Sequence, residues 1–103
     1  MKIELLSWAE SDLSKGSYFY ERQQIGLGNY FIDSLLADIE SLQIHAGVHP
    51  RYQGFHRLLA KRFPFAIYYK VREESVQIYA ILDCRADPKK AIQFFTDLAS
   101  KGL

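Results

Sequence analysis

The spacing of apolar positions changes period along the chain, and each change predicts a change of element. Residues 2–6, KIELL, form a short apolar run bounded by Ser7, which predicts an opening strand. Ala9, Leu13, Gly16 and Tyr20 then recur at helical spacing, with Glu10, Lys15, Glu21 and Arg22 off that face, so a helix is expected from about Trp8 to Gln24. Ser7 followed by Glu10 has the pattern of a capping box that would start it. The segment IGLGN, residues 25–29, supplies two glycines for a corner and Asn29 as the next N-cap. Ile32, Leu35, Ile39 and Leu42 define a second apolar stripe that ends near His45, where Gly47 suits a left-handed C-cap and Pro50 blocks continuation. So short a connection predicts an antiparallel helical hairpin.

After residue 54 the period becomes two. In residues 55–63, FHRLLAKRF, an extended backbone puts Phe55, Arg57, Leu59, Lys61 and Phe63 on one face and His56, Leu58, Ala60 and Arg62 on the other. Pro64 interrupts the ladder and belongs in a turn or at an edge. Residues 65–71 and 76–82 are rich in β-branched and aromatic types and flank the polar Arg72-Glu73-Glu74-Ser75, which predicts a hairpin. Asp87 as cap and Pro88 in the first turn open a last helix with Ile92, Phe95 and Leu98 as its apolar stripe. The order β, α, α, β, β, β, α predicts an α+β fold: an N-terminal strand, a helical hairpin on one face of a mostly antiparallel four-stranded sheet, and a short C-terminal helix. At 103 residues the chain has room for one domain, 1–103.

Composition narrows the function classes. No apolar run approaches the roughly 20 residues of a membrane span, and Cys84 is the only cysteine, so no internal disulfide forms and a reducing cytoplasm is expected. Cys84 itself reads as a small buried strand residue. His45, His49 and His56 have no metal-ligand spacing, and no cofactor or small-molecule motif is present. The net charge of +1 conceals a division. Residues 1–50 carry three basic and seven acidic side chains, whereas residues 51–103 carry ten basic and five acidic. Arg51, Arg57, Lys61, Arg62, Lys70 and Arg72 fall between Glu40 and Glu73 with no acid among them. Such a stretch attracts phosphates or an acidic partner segment, unless it is an ordinary solvated face.

Four segments carry a resemblance: KIELLSWAESDL at the start, GLGNYFIDSL at the corner, FHRLLAKRFPFAIYY over residues 55–69, and RADP after the last apolar strand. In this order they resemble the RelE/ParE toxin superfamily, the plasmid stabilisation proteins, and residues 55–69 are the most specific part. The resemblance implies the toxin of a bacterial type II toxin–antitoxin pair, which stalls growth unless the C-terminal segment of an antitoxin wraps it. One branch of the family cleaves mRNA in the ribosomal A site and another poisons DNA gyrase. The nuclease branch uses basic side chains on three neighbouring strands and a Tyr on the last helix. Of these only Arg57 is matched here, with Leu59, Ala66 and Ala86 at other basic positions and Ile92 near the Tyr. Where many relatives end the last strand with His-x-x-Arg, this chain has Asp83-Cys84-Arg85-Ala86, and the Asp opposes a phosphate.

Two sets of candidate residues follow. If the chain is a ribosome-dependent nuclease, Arg57, Lys61 and Arg85 carry the chemistry. As a binding surface for an antitoxin and for gyrase or the ribosome, the candidates are Arg57, Lys61, Arg62, Tyr68, Lys70 and Tyr79. The gyrase-directed mode is placed first, cleavage second, and an attenuated member that only binds antitoxin third. Against these stand structural readings: Arg57 paired to an acid of the helices, Lys61, Arg62 and Arg85 as edge charges that discourage aggregation, and Phe63, Phe65 and Tyr69 as core. Tyr68 and Tyr79 are expected on the opposite, open face of the sheet.

Overall fold

The computed structural model describes residues 1–102. Its elements are β1 (Lys2–Leu5), α1 (Ser7–Glu21), α2 (Leu27–Glu40), α3 (Leu42–His45), β2 (Arg51–Tyr52), β3 (Phe55–Leu59), β4 (Phe65–Arg72), β5 (Ser75–Asp83) and α4 (Pro88–Ser100). One five-stranded sheet runs in the order β1-β5-β4-β3-β2, with β1 parallel to β5 and every other pair antiparallel. The α+β architecture is the expected one, but the sheet has five strands rather than four. The additional strand β2 is two residues long and joins β3 through a Gln53-Gly54 turn, both residues having positive φ (54° and 83°). Positive φ at both central positions matches the twist of a tight hairpin.

The helical hairpin packs largely on its predicted stripes, except that Phe31 rather than Ile32 takes the fully buried place and the second helix is divided at Ser41 into α2 and α3. Ala9, Leu13, Gly16 and Tyr20 of α1 are buried, as are Phe31, Leu35 and Ile39 of α2 and Leu42 of α3. With Phe65, Ile67 and Tyr69 of β4 and Val76, Ile78 and Ile81 of β5 they form the larger core. The caps differ from expectation. Leu6, not Ser7, is the N-cap of α1 and no side chain caps it, so the capping box does not form. Asn29 lies inside α2; the N-terminal N–H groups of Gly26 and Gly28 donate instead to the Glu21 carboxylate, at 3.0–3.1 Å. The end of α1 thus supplies the acidic group that complements the start of α2.

The other sheet face is covered, contrary to expectation. Phe95 and Leu98 of α4 pack on Phe55, Ala66, Tyr68, Tyr79 and Ala80, with Trp8 and Phe94 closing the margin. Tyr68 and Tyr79 are only 5% and 3% exposed. The covering stripe of α4 is Ala91, Phe94, Phe95 and Leu98, whereas Ile92 faces outward at 50% exposure. A bulge sets the alternation of β5: Tyr68 pairs with Ala80 and Tyr69 with Ile78, leaving Tyr79 as the extra residue. Tyr79 and Ala80 therefore both join the smaller core while Ile78 and Ile81 face the larger one. β3 ends at Leu59, short of the expected residue 63, because the Lys61 N–H leaves the ladder and donates to the buried Asp38 carboxylate at 3.0 Å. Phe63 consequently packs against the helical side rather than beside Phe55.

Candidate functional site

The candidate site lies where β3, β4 and the end of β5 meet the start of α4. A groove of about 450 Å³ is walled by Tyr52, Tyr68 and Leu82 on the sheet side and by Ala86, Pro88 and Ala91 on the helix side. Pro88 at the first turn and Asp87, whose carboxylate accepts from the Lys89 N–H at 3.0 Å, fix the start of α4 and hence the groove's outer wall.

Arg57 projects into this groove from the middle of β3. Its Nε donates to the Tyr68 hydroxyl at 3.1 Å, and its guanidinium carbon stands 6.0 Å from the Tyr68 ring. A weak contact from the guanidinium to Cys84 Sγ spans 3.6 Å. The hydrogen bond to Tyr68 holds the Arg57 pKa above its ordinary value, partial burial opposing it. Among the described residues the ion pairs are Lys2 with Glu4 and Arg85 with Asp83, so Arg57 has no carboxylate partner in the helices or elsewhere. Tyr68 is the residue that orients Arg57, and being buried beneath Phe95 it is part of the wall rather than an open face.

The other candidates are not brought to Arg57. Arg85 is bound to the Asp83 carboxylate through Nε at 3.1 Å and a terminal nitrogen at 3.0 Å, and it also donates to the Tyr20 hydroxyl at 3.1 Å. Burial pushes the Asp83 carboxyl up, but the hydrogen bonds and charge of Arg85 together hold it below the ordinary carboxylate range. Lys61 and Arg62 are exposed beyond the end of β3 and line no part of the groove. Lys70 stands on the same sheet face farther along β4, its ammonium 4.7 Å from the Phe55 ring and 5.6 Å from that of Tyr79. Cys84 is exposed, not buried, because it follows the last residue of β5. Lys90 and Tyr52 line the groove without having been singled out in the sequence, and Asp83 and Asp87, read there as a charge opposing phosphate and as a helix cap, line it too. Periodicity has no purchase on a two-residue strand such as the one bearing Tyr52, but the Asp-Pro start of α4 marks where Asp87 and Lys90 lie.

Among the described residues no group of three His, Cys, Asp or Glu stands close enough to hold a metal ion, and no helix is long and apolar enough to cross a membrane. No family model matches the sequence, and no curated protein matches it. Among solved structures, a chain of one described as the chromosomal ParDE TA system from P. aeruginosa is similar, with a TM-score of 0.68 and 22% sequence identity over 79% of this chain and 92% of that chain. A likeness at that identity speaks for the backbone, and together with the strand, helical hairpin, sheet and closing helix described above it assigns this chain the RelE/ParE-like α+β fold.

Proposed function

We propose that this chain is the toxin of a bacterial type II toxin–antitoxin pair, working in the cytoplasm by binding an essential machine, and silenced when its antitoxin occupies the same surface. The observation that carries the reading is Arg57: a guanidinium fixed by Tyr68 in a groove, without a carboxylate partner among the described residues, on a fold shared with a chain of a ParDE system. A partly desolvated cation of this kind gains from an acceptor delivered by another molecule, because the fork is already oriented.

We place gyrase-directed binding ahead of RNA cleavage. Cleavage at a 2′-hydroxyl needs a base, cations for the charge developing on phosphorus, and a donor to the leaving oxygen. Of Arg57, Lys61 and Arg85 only the first reaches the groove, and although Lys90 also lines it, so do two carboxylates, Asp83 and Asp87. That arrangement favours binding a protein surface over holding a polyphosphate backbone.

Expression in bacteria lacking a partner gene should arrest growth, and the purified chain should inhibit supercoiling by gyrase without cutting mRNA on programmed ribosomes. Undisturbed growth would remove the toxin reading and leave an antitoxin-binding member without toxicity. A-site cuts that disappear in Arg57→Ala would replace gyrase binding by ribosome-dependent endoribonuclease activity.

A further inference from the structure

The connector between α3 and β2, residues 46–50, is fastened to the sheet by a short chain of hydrogen bonds around Tyr69. The Tyr69 side chain belongs to the larger core, but its hydroxyl reaches the connector. There it accepts from the Gly47 N–H at 3.0 Å and meets Nδ1 of His49. The His49 carbonyl in turn accepts from Nδ1 of His56 at 2.8 Å, and the His56 ring stacks on Tyr69 with centroids 5.1 Å apart. One residue on, the Pro50 carbonyl accepts from the Arg57 N–H at 2.8 Å, and β2 begins directly after it.

The proton positions follow from counting donors. A phenolic hydroxyl has one proton, and an oxygen that already accepts from Gly47 is left to donate that proton to His49. His49 is therefore neutral, with its own proton on Nε2 and with Nδ1 as acceptor. His56 is the opposite case: its Nδ1 faces a carbonyl oxygen and must carry a proton, which the neutral and the charged ring supply equally well. Of the two bonds, the one lost on protonation is that of His49. A charged His49 ring would require the Tyr69 hydroxyl to accept twice and to turn its own proton away from both partners.

The surroundings oppose that charge as well. Partial burial, then His56 on β3 and His45 on α3, all lower the His49 pKa. Arg51 of β2 and Arg57 of β3 line the recess that His49 borders, and no carboxylate among the described residues does. From β4 the ring meets Tyr69, edge-on, with centroids 5.7 Å apart.

We infer that His49 is a proton-sensitive latch: its neutral ring, bonded to Tyr69, holds residues 46–50 on the sheet, and protonation releases them. Release travels to the groove through β2. That strand is two residues long, lies at the end of the sheet and pairs with β3 at Arg51↔His56 and Tyr52↔Phe55, so it has little hold of its own. Tyr52, which walls the Arg57 groove and packs on Tyr68 and Phe95, is displaced with it. Because the folded chain favours the neutral ring, the latch is closed above about pH 6.5, the ordinary histidine value, and opens as pH falls through the lowered value. The inference stands apart from the proposed function, since it concerns the shape of the groove and not what occupies it.

The test is nuclear magnetic resonance of the whole chain between about pH 8 and pH 5. Long-range nitrogen–proton spectra of the imidazoles should show His49 with its proton on Nε2 at the upper end and titrating below the ordinary histidine value. Amide exchange of Gly47 and Arg57, corrected for its intrinsic pH dependence and referred to amides of β4 and β5, should accelerate as His49 titrates. The expected factor is about three- to tenfold, the worth of one hydrogen bond. His49→Asn puts an acceptor that does not titrate at the place of Nδ1 and should keep both amides protected across the range. Tyr69→Phe removes the hydroxyl and should leave them fast at every pH. His56→Asn keeps a donor for the His49 carbonyl and should leave the acceleration in place. The wild-type spectra decide the tautomer by themselves, so the test stands even where a variant melts early. A His49 proton on Nδ1 at the upper end, exchange indifferent to the titration, or the same acceleration in His49→Asn would overturn the inference. Loss of the acceleration in His56→Asn would assign it to the wrong ring and overturn it also.

Discussion

Arg57 differs from the basic residues around it in being oriented by Tyr68 without a carboxylate partner among the described residues. Its Nε is spent on Tyr68 and the rest of its fork faces the groove, whereas Arg85, a residue of the same type, is closed off by Asp83. Arg57→Ala should therefore change stability by no more than about 1 kcal/mol while abolishing growth arrest, which denaturant melts and growth curves together check. Two aspartates respond to pH in opposite senses. Asp83 titrates below the ordinary carboxylate range once Arg85 outweighs burial, so it contributes stability that is present above about pH 4 and lost as pH falls further. For Asp12, burial is the largest influence and raises the pKa, although the carboxylate accepts from the Ile81 N–H at 2.9 Å. From about pH 4 upward the folded state then holds its proton longer than the unfolded chain, and stability declines as pH rises through the raised value. Asp12→Asn keeps an oxygen for Ile81 and removes that decline. Melting temperatures between pH 4 and 7 should be flatter for the variant, and an equally steep fall would refute burial as its origin.

Among the elements, the helix ends separate what sequence signals specify from what packing decides. Asp87 followed by Pro88 forms the predicted cap of α4, whereas Ser7 and Glu10 match a capping box that the structure does not use. Substituting Asp87 by Ala should destabilise by about 1 kcal/mol and Ser7 by Ala by less than about 0.5 kcal/mol; equal losses would contradict the cap assignments. The two helices of the hairpin approach closely at glycines. A Cβ on Gly28 would lie 2.7 Å from the Ser17 carbonyl oxygen, a backbone atom that cannot turn aside. Gly28→Ala should cost about 1–3 kcal/mol in urea denaturation, and a neutral result would show that the helices can separate. The stripes of α1 and α2 and the strands β4 and β5 were legible because long periodic segments constrain a face. β2 escaped because two residues have no period, and the end of β3 escaped because a long-range bond from Lys61 to Asp38 ends it.

At the scale of the molecule, the division between an acidic first half and a basic second half becomes spatial. The helices of the first half cover one side of the sheet, while Arg51, Lys70 and Arg72 of the second half gather in one recess beside His56. The expectation of an open sheet face fails because Phe95 of α4 touches Tyr52, Phe55 and Tyr68 and seals that face. Phe95→Ala should cost about 3–5 kcal/mol in thermal or denaturant unfolding; a loss below about 1 kcal/mol would mean that α4 does not hold the second core. The candidate binding surface lies at the margin of that face, where Arg57 was legible from its place in residues 55–69. Tyr52, Lys90 and the Arg51/Arg72 recess were not, because they meet only when β2 and α4 fold against the sheet. The growth rate of bacteria after induction of this chain and of Arg57→Glu, without a partner gene, tests the central claim most directly. The wild-type chain should halt growth within a few generations and the variant, folded and equally abundant, should not; unimpaired growth with the wild type, or equal arrest by the variant, would contradict it.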